Sequence, residues 1–115
     1  MPSTGLTGPH ALTEKNINAH VDASIGAYAL GYVNSDDAFI VKYVGRSDND
    51  LNKRLKDWIG DYKSFKYGHF NTKKAAFEKE CHMYHDFSGL DNDVHPARPS
   101  GLDYNCPVSD CEALD

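Results

Sequence analysis

Between residues 26 and 86 the spacing of apolar side chains switches twice from the period of a strand to that of a helix. This limits the chain to a mixed helix-and-strand domain. Residues 26–33 (GAYALGYV) alternate, with Tyr28, Leu30 and Tyr32 on one side and Ala27, Ala29 and Gly31 on the other. That is a strand with one bulky and one small face. Asn34-Ser35-Asp36-Asp37 has turn chemistry. Residues 38–44 (AFIVKYV) are rich in β-formers and predict a second strand, with Phe39, Val41 and Tyr43 on one face. The short polar connection makes the two a hairpin. Residues 45–50 (GRSDND) read as a loop in which Asp48 or Asp50 caps a helix. From there Leu51, Leu55, Trp58 and Ile59 recur at helical spacing, predicting that helix over 51–61. Residues 65–70 (FKYGHF) alternate again as a third short strand. Asn71 or Thr72 then caps a second helix over 72–86, whose apolar positions are Ala76, Phe77, Cys81 and Tyr84, with Phe87 after them.

The flanks are different in character. Residues 1–24 are expected to be a flexible leader, Gly/Pro/Ser/Thr-rich through residue 9, with a short helix over 14–22 after Thr13. The core is expected over 25–95, followed by an irregular acidic tail over 96–115. Charge follows the same division. Residues 1–41 hold one Lys against four acids, a charge of −3; residues 42–79 hold ten basic against five acidic residues, +5; residues 80–115 hold one Arg against eight acids, −7. The basic middle suits a polyanion, although the net charge of −5 does not announce one. No run of apolar residues is long enough to span a membrane, and no secretory signal is visible, so the expected location is the cytoplasm. Three cysteines, an odd and sparse set, agree with a reducing compartment.

Two charged residues fall where helical periodicity puts apolar ones. Arg54 lies three residues after Leu51 and four before Trp58, at the edge of the first helix's buried stripe. Glu80 lies four residues from both Ala76 and Tyr84, inside the second stripe. A carboxylate there is costly unless it is paired, hydrogen-bonded or metal-bound. Taken one at a time, each has an ordinary explanation: Arg54 as a stem packed on the core with its head in water, Glu80 in an ion pair, Tyr28 and Tyr43 as strand tyrosines. Taken together they are the parts for metal-assisted phosphodiester cleavage. That reaction needs an activated water, neutralisation of charge building on phosphorus, and help for the leaving oxygen.

The order strand–turn–strand–helix–strand–helix, with these residues in it, resembles the GIY-YIG nuclease family over residues 25–92. Gly26-Ala27-Tyr28 stands where that family has its first tripeptide and Tyr43-Val44-Gly45 where it has the second, with Ala27 and Val44 in place of Ile. Arg54 matches the family's helix arginine, Arg46 a position often Lys or Arg, and Glu80 the metal-binding glutamate. Asn92 matches an asparagine common in the excision-repair branch. The two tyrosines are further apart than is usual there, which a longer turn at 34–37 absorbs. The resemblance implies an α+β fold, a small three-stranded antiparallel sheet flanked by helices. It implies a DNA endonuclease in which Glu80 binds one Mg²⁺ or Mn²⁺, Tyr28 or Tyr43 orients or deprotonates the attacking water, and Arg54 with Arg46 stabilises the phosphorane-like charge. Lys42, Arg46, Lys53 and Asn92 would contact the DNA.

Two other readings compete. One is a catalytically silent DNA- or protein-binding module of the same fold, acting through a protein partner or as a homodimer. The other is a zinc clip at Cys106 and Cys111, whose four-residue separation is looser than in most zinc ribbons. His82 and His85 read as surface residues, and His69 as a partly exposed strand residue, with a place near the site as the alternative.

Overall fold

A computed structural model describes residues 6–87, 90 and 91. Asn92, Cys106, Cys111 and the tail over 96–115 lie outside the described residues. The elements are β1 (Thr7–Ala11), α1 (Glu14–His20), β2 (Gly26–Val33), β3 (Phe39–Ser47), α2 (Leu51–Lys56), β4 (Ser64–His69) and α3 (Lys73–Asp86). The architecture is α+β. Its sheet has four strands, not the expected three, in the order β1-β4-β2-β3, with every neighbouring pair antiparallel.

The additional strand corrects the leader. Thr7–Ala11 pairs with β4, Thr7 opposite Tyr67 and His10 opposite Phe65, while Gly8-Pro9 falls in a break of the register. Gly and Pro look like chain breakers in a sequence. An edge strand tolerates both, because its outer groups face away from the ladder. Thr13 then caps α1 by accepting the Asn16 N–H at 3.2 Å. Asn52 fastens α1 to α2 by donating its side-chain amide to the Val21 carbonyl at 2.8 Å.

The hairpin forms at the expected place. Asn34 Oδ1 accepts from the backbone N–H groups of Asp36 and Ala38, closing the turn. Two features of β3 depart from the expectation. The strand runs on through Gly45–Arg46–Ser47, whose composition is that of a loop, so Arg46 sits on a strand opposite Ala27. The ladder also slips: Val41 faces Gly31 and Tyr43 faces Leu30, leaving Lys42 as the extra residue of a β-bulge. Phe39 and Val41 therefore share one face, and Tyr43 turns to the other. Gly31 suits this place because a Cβ there would run into the Ile40 carbonyl.

α2 ends at Lys56, short of the expected residue 61. The chain continues in tighter turns, with the N–H of Trp58, Ile59 and Asp61 donating to the carbonyls three residues earlier. Gly60, at φ +93°, ends them.

The sheet carries a core on each face. On one, Tyr28, Leu30 and Phe65 pack with Ile17, Leu51 and Leu55 from α1 and α2. On the other, Ala27, Ala29, Val41 and Val44 receive Met83 of α3. Thr72 caps α3 through the Ala75 N–H at 3.1 Å. Among the described residues no helix is long and apolar enough to cross a membrane.

Candidate active site

β3 is a sheet edge, so side chains from both faces reach round it. Beside its C-terminal end lies an open cleft of about 410 Å³, lined by Arg46, Asp48, Asp50, Lys53, Arg54 and Asp57 among others. The cleft is built by the loop that leads β3 into α2. Ser47, buried, accepts the Asp50 N–H at 2.9 Å, and Asp50 caps α2 by accepting the Lys53 N–H at 3.0 Å. Those bonds present Lys53 and Arg54 to the cleft on the first turn of the helix.

On the α3 face, Arg46 projects under α3. Its Nη1 donates to Glu80 Oε1 at 2.6 Å and its Nε to Asp48 Oδ1 at 2.9 Å, and its guanidinium lies 5.3 Å from the Phe77 ring centroid. Glu80 is buried, 8 % exposed, in keeping with its place in the apolar stripe. Burial pushes its carboxyl up to about 7, against the pull of Arg46.

On the α1/α2 face, Tyr28 is wholly buried. Its hydroxyl accepts the Trp58 indole N–H at 2.9 Å and interacts with the Arg54 guanidinium. Burial outweighs both donors and pushes the phenol up to about 12. Gly45 stands directly across the ladder, and a Cβ there would collide with the Tyr28 phenol. The glycine of the second tripeptide thus makes room for the tyrosine of the first. Tyr43 is half-buried against Trp58, with ring centroids 4.5 Å apart. Burial raises its pKa as well, with Arg54 opposing and Glu80 adding to the rise.

Arg54 joins the two halves. Its charge acts on Tyr28, on Tyr43 and, from the other side of the strand edge, on Glu80. Five of the residues expected at the site, Tyr28, Tyr43, Arg46, Arg54 and Glu80, therefore form one electrostatically connected group. Lys53 is exposed on the cleft wall. Lys42 is not in the cleft lining; it is the bulge residue, and its carbonyl accepts the Asp91 N–H at 2.5 Å. His69 is not at the site either. Its Nε2 accepts the Asp22 N–H at 3.0 Å while Nδ1 meets Ser24 Oγ and the Ile25 carbonyl, pinning the loop before β2. Cys81 is buried and His82 and His85 are exposed, as their positions on the helix predict.

Sequence reasoning misses Asp48 and Trp58. Asp48 is two residues from Arg46, the spacing that puts both on one side of an extended segment, and this signal is hidden as long as residues 45–50 read as loop. Periodicity assigns Trp58 wholly to the core, and its N–H has no visible partner in the sequence.

A divalent ion has a donor set here of limited size. Among the described residues no three His, Cys, Asp or Glu side chains group together. Glu80 and Asp48, however, converge on one guanidinium, so positive charge is already stabilised between two carboxylates. A hard ion bound mostly by water and phosphate oxygens needs no more protein ligands than that. No family model matches the chain, and neither a curated protein nor a solved structure does.

Proposed function

We propose that the chain is a divalent-metal-dependent DNA endonuclease of the GIY-YIG kind. The observation that carries this reading is the convergence of Tyr28, Tyr43, Arg46, Arg54 and Glu80, from both faces of the sheet, around the β3 edge beside an open cleft. Residues scattered over two strands and two helices have no packing reason to meet as two phenols, two guanidinia and a carboxylate.

In this reading the phosphate enters the cleft against Arg54 and Lys53. Glu80, with Asp48 nearby, would hold one Mg²⁺ or Mn²⁺, which would supply positive charge against the phosphate. Arg46 holds the two carboxylates in place and adds positive charge to the cleft lining. Tyr43, the less buried phenol, is the one placed to meet a water. Tyr28 is shut away and acts by holding the Arg54 guanidinium. Glu80 must be ionised to hold a cation. Metal affinity therefore rises as pH climbs through about 7.

One observation favours a catalytically silent binding module instead. Glu80 is already engaged by Arg46 at 2.6 Å and is nearly closed to solvent. Incubation with supercoiled and branched DNA, with Mg²⁺, Mn²⁺ or EDTA, separates the two. A nuclease nicks only with metal, and Glu80→Ala or Arg54→Ala lowers the rate by about 10²- to 10³-fold. DNA binding that ignores EDTA, with no cleavage under either metal, establishes the module.

A further inference from the structure

We propose that Trp58 is a positioning residue of this site, orienting the Tyr28 phenol through its indole N–H and bracing Tyr43 with its ring. The proposal deepens the nuclease reading and rests on it.

The geometry is specific. The indole Nε1–H lies 2.9 Å from the Tyr28 hydroxyl. An indole nitrogen is a donor only, so at this contact the phenol oxygen is the acceptor. Arg54, also a donor only, interacts with the same oxygen. The Trp58 donor restricts where the phenol's own proton points. It also holds the hydroxyl with which the Arg54 guanidinium interacts, and Arg54 lines the cleft. Trp58 thus acts on Arg54 through Tyr28.

Its ring does separate work. Tyr43 packs against it at 4.5 Å, tilted by 45°, and Tyr62 lies edge-on at 5.9 Å. One side chain therefore contacts both candidate phenols. It does so from the turns after α2, where a leucine would fill the same space. A tryptophan needed only for volume has no reason to aim its N–H at a buried hydroxyl beside an arginine. That hydroxyl would otherwise be left to Arg54 alone, in an environment where an unmet polar group is costly.

The chain contains one Trp, so a single indole N–H resonance reports on this contact. In Tyr28→Phe its exchange with solvent should quicken about five- to tenfold. Unchanged exchange overturns the proposal whatever the enzyme does. In cleavage assays Trp58→Phe, which keeps an aromatic ring and loses the donor, should lower kcat about tenfold with KM little changed. In the Tyr28→Phe background the same substitution should have almost no further effect on kcat, because the donor has lost its acceptor. Equal effects in both backgrounds show that Trp58 only fills space and overturn its positioning role. A parent protein that never cleaves overturns the nuclease reading itself, which is a different result from a parent that cleaves and a Trp58→Phe that cleaves equally well.

Discussion

The two faces of the sheet are built on opposite plans. Under α1 and α2 the strands present large side chains, Tyr28, Leu30 and Phe65, and the Tyr28 hydroxyl brought into that core is met by the Trp58 indole N–H. Under α3 they present Ala27, Ala29, Val41 and Val44. Small residues let a helix lie close, and into the edge of that close contact the chain inserts a full ion pair, Arg46 with Glu80. One face meets its buried hydroxyl with a neutral donor and leaves the Arg54 charge at its exposed rim, while the other takes a charged pair inside. The difference shows how a small domain assembles a charged site without hollowing out its core. The charges sit where the helix meets the sheet's free edge, and the phenols come round from the packed side.

The strongest test of this contrast is pH. The Glu80 carboxyl titrates near 7 in the folded chain and near 4.5 when unperturbed, so the folded state binds the extra proton. Stability from this group is complete below about pH 4.5 and is lost as pH rises through about 7. The loss in unfolding free energy relative to Glu80→Gln should be about 3 kcal/mol between those limits. Denaturant titrations of both proteins from pH 5 to 8 measure it, and parallel curves would show that the α3 face does not feel its charge. The apolar face is tested by Gly45→Ala, which drives a methyl into the Tyr28 ring and should cost about 2 kcal/mol. Much of that should be recovered in a Tyr28→Leu background, whereas a loss that persists would place the strain elsewhere. The smallest effect compares the helices that cover the two faces. Thr72→Ala removes the cap of α3 and Thr13→Ala that of α1, each worth about 1 kcal/mol. Only the Thr72 change should also loosen the Arg46–Glu80 pair, visible as a shift in the pH dependence of stability.

Periodicity makes most of the elements legible. The alternation over residues 26–33 identifies both faces of β2, and the caps at Thr13 and Thr72 fall where short polar residues precede apolar repeats. The placement of Glu80 in a buried stripe needs no structure either. What stays hidden depends on partners distant in sequence. Thr7–Ala11 is a strand because β4 offers it an edge, and its own Gly-Pro gives no hint of that. Gly45–Ser47 extends β3 because β2 continues alongside. The Trp58–Tyr28 bond joins residues 30 apart, from a turn to a strand. A pattern within one segment cannot register a contact made by another.

The bulge at Lys42 makes the length of β3 a matter of odd and even. Everything from Tyr43 to Ser47 owes its orientation to that one surplus residue. Flatten the bulge into regular alternation with every residue kept, and Tyr43 would turn under α3 while Val44 took its place beside Trp58; Arg46 would leave Glu80 for the opposite side. Removing Lys42 itself would leave each side chain on its present face, because Tyr43 already stands opposite Leu30 and Val41 opposite Gly31. A single deletion at the bulge is thus tolerable where one elsewhere between Phe39 and Ser47 is not, a constraint on how the chain can change that no individual side chain imposes.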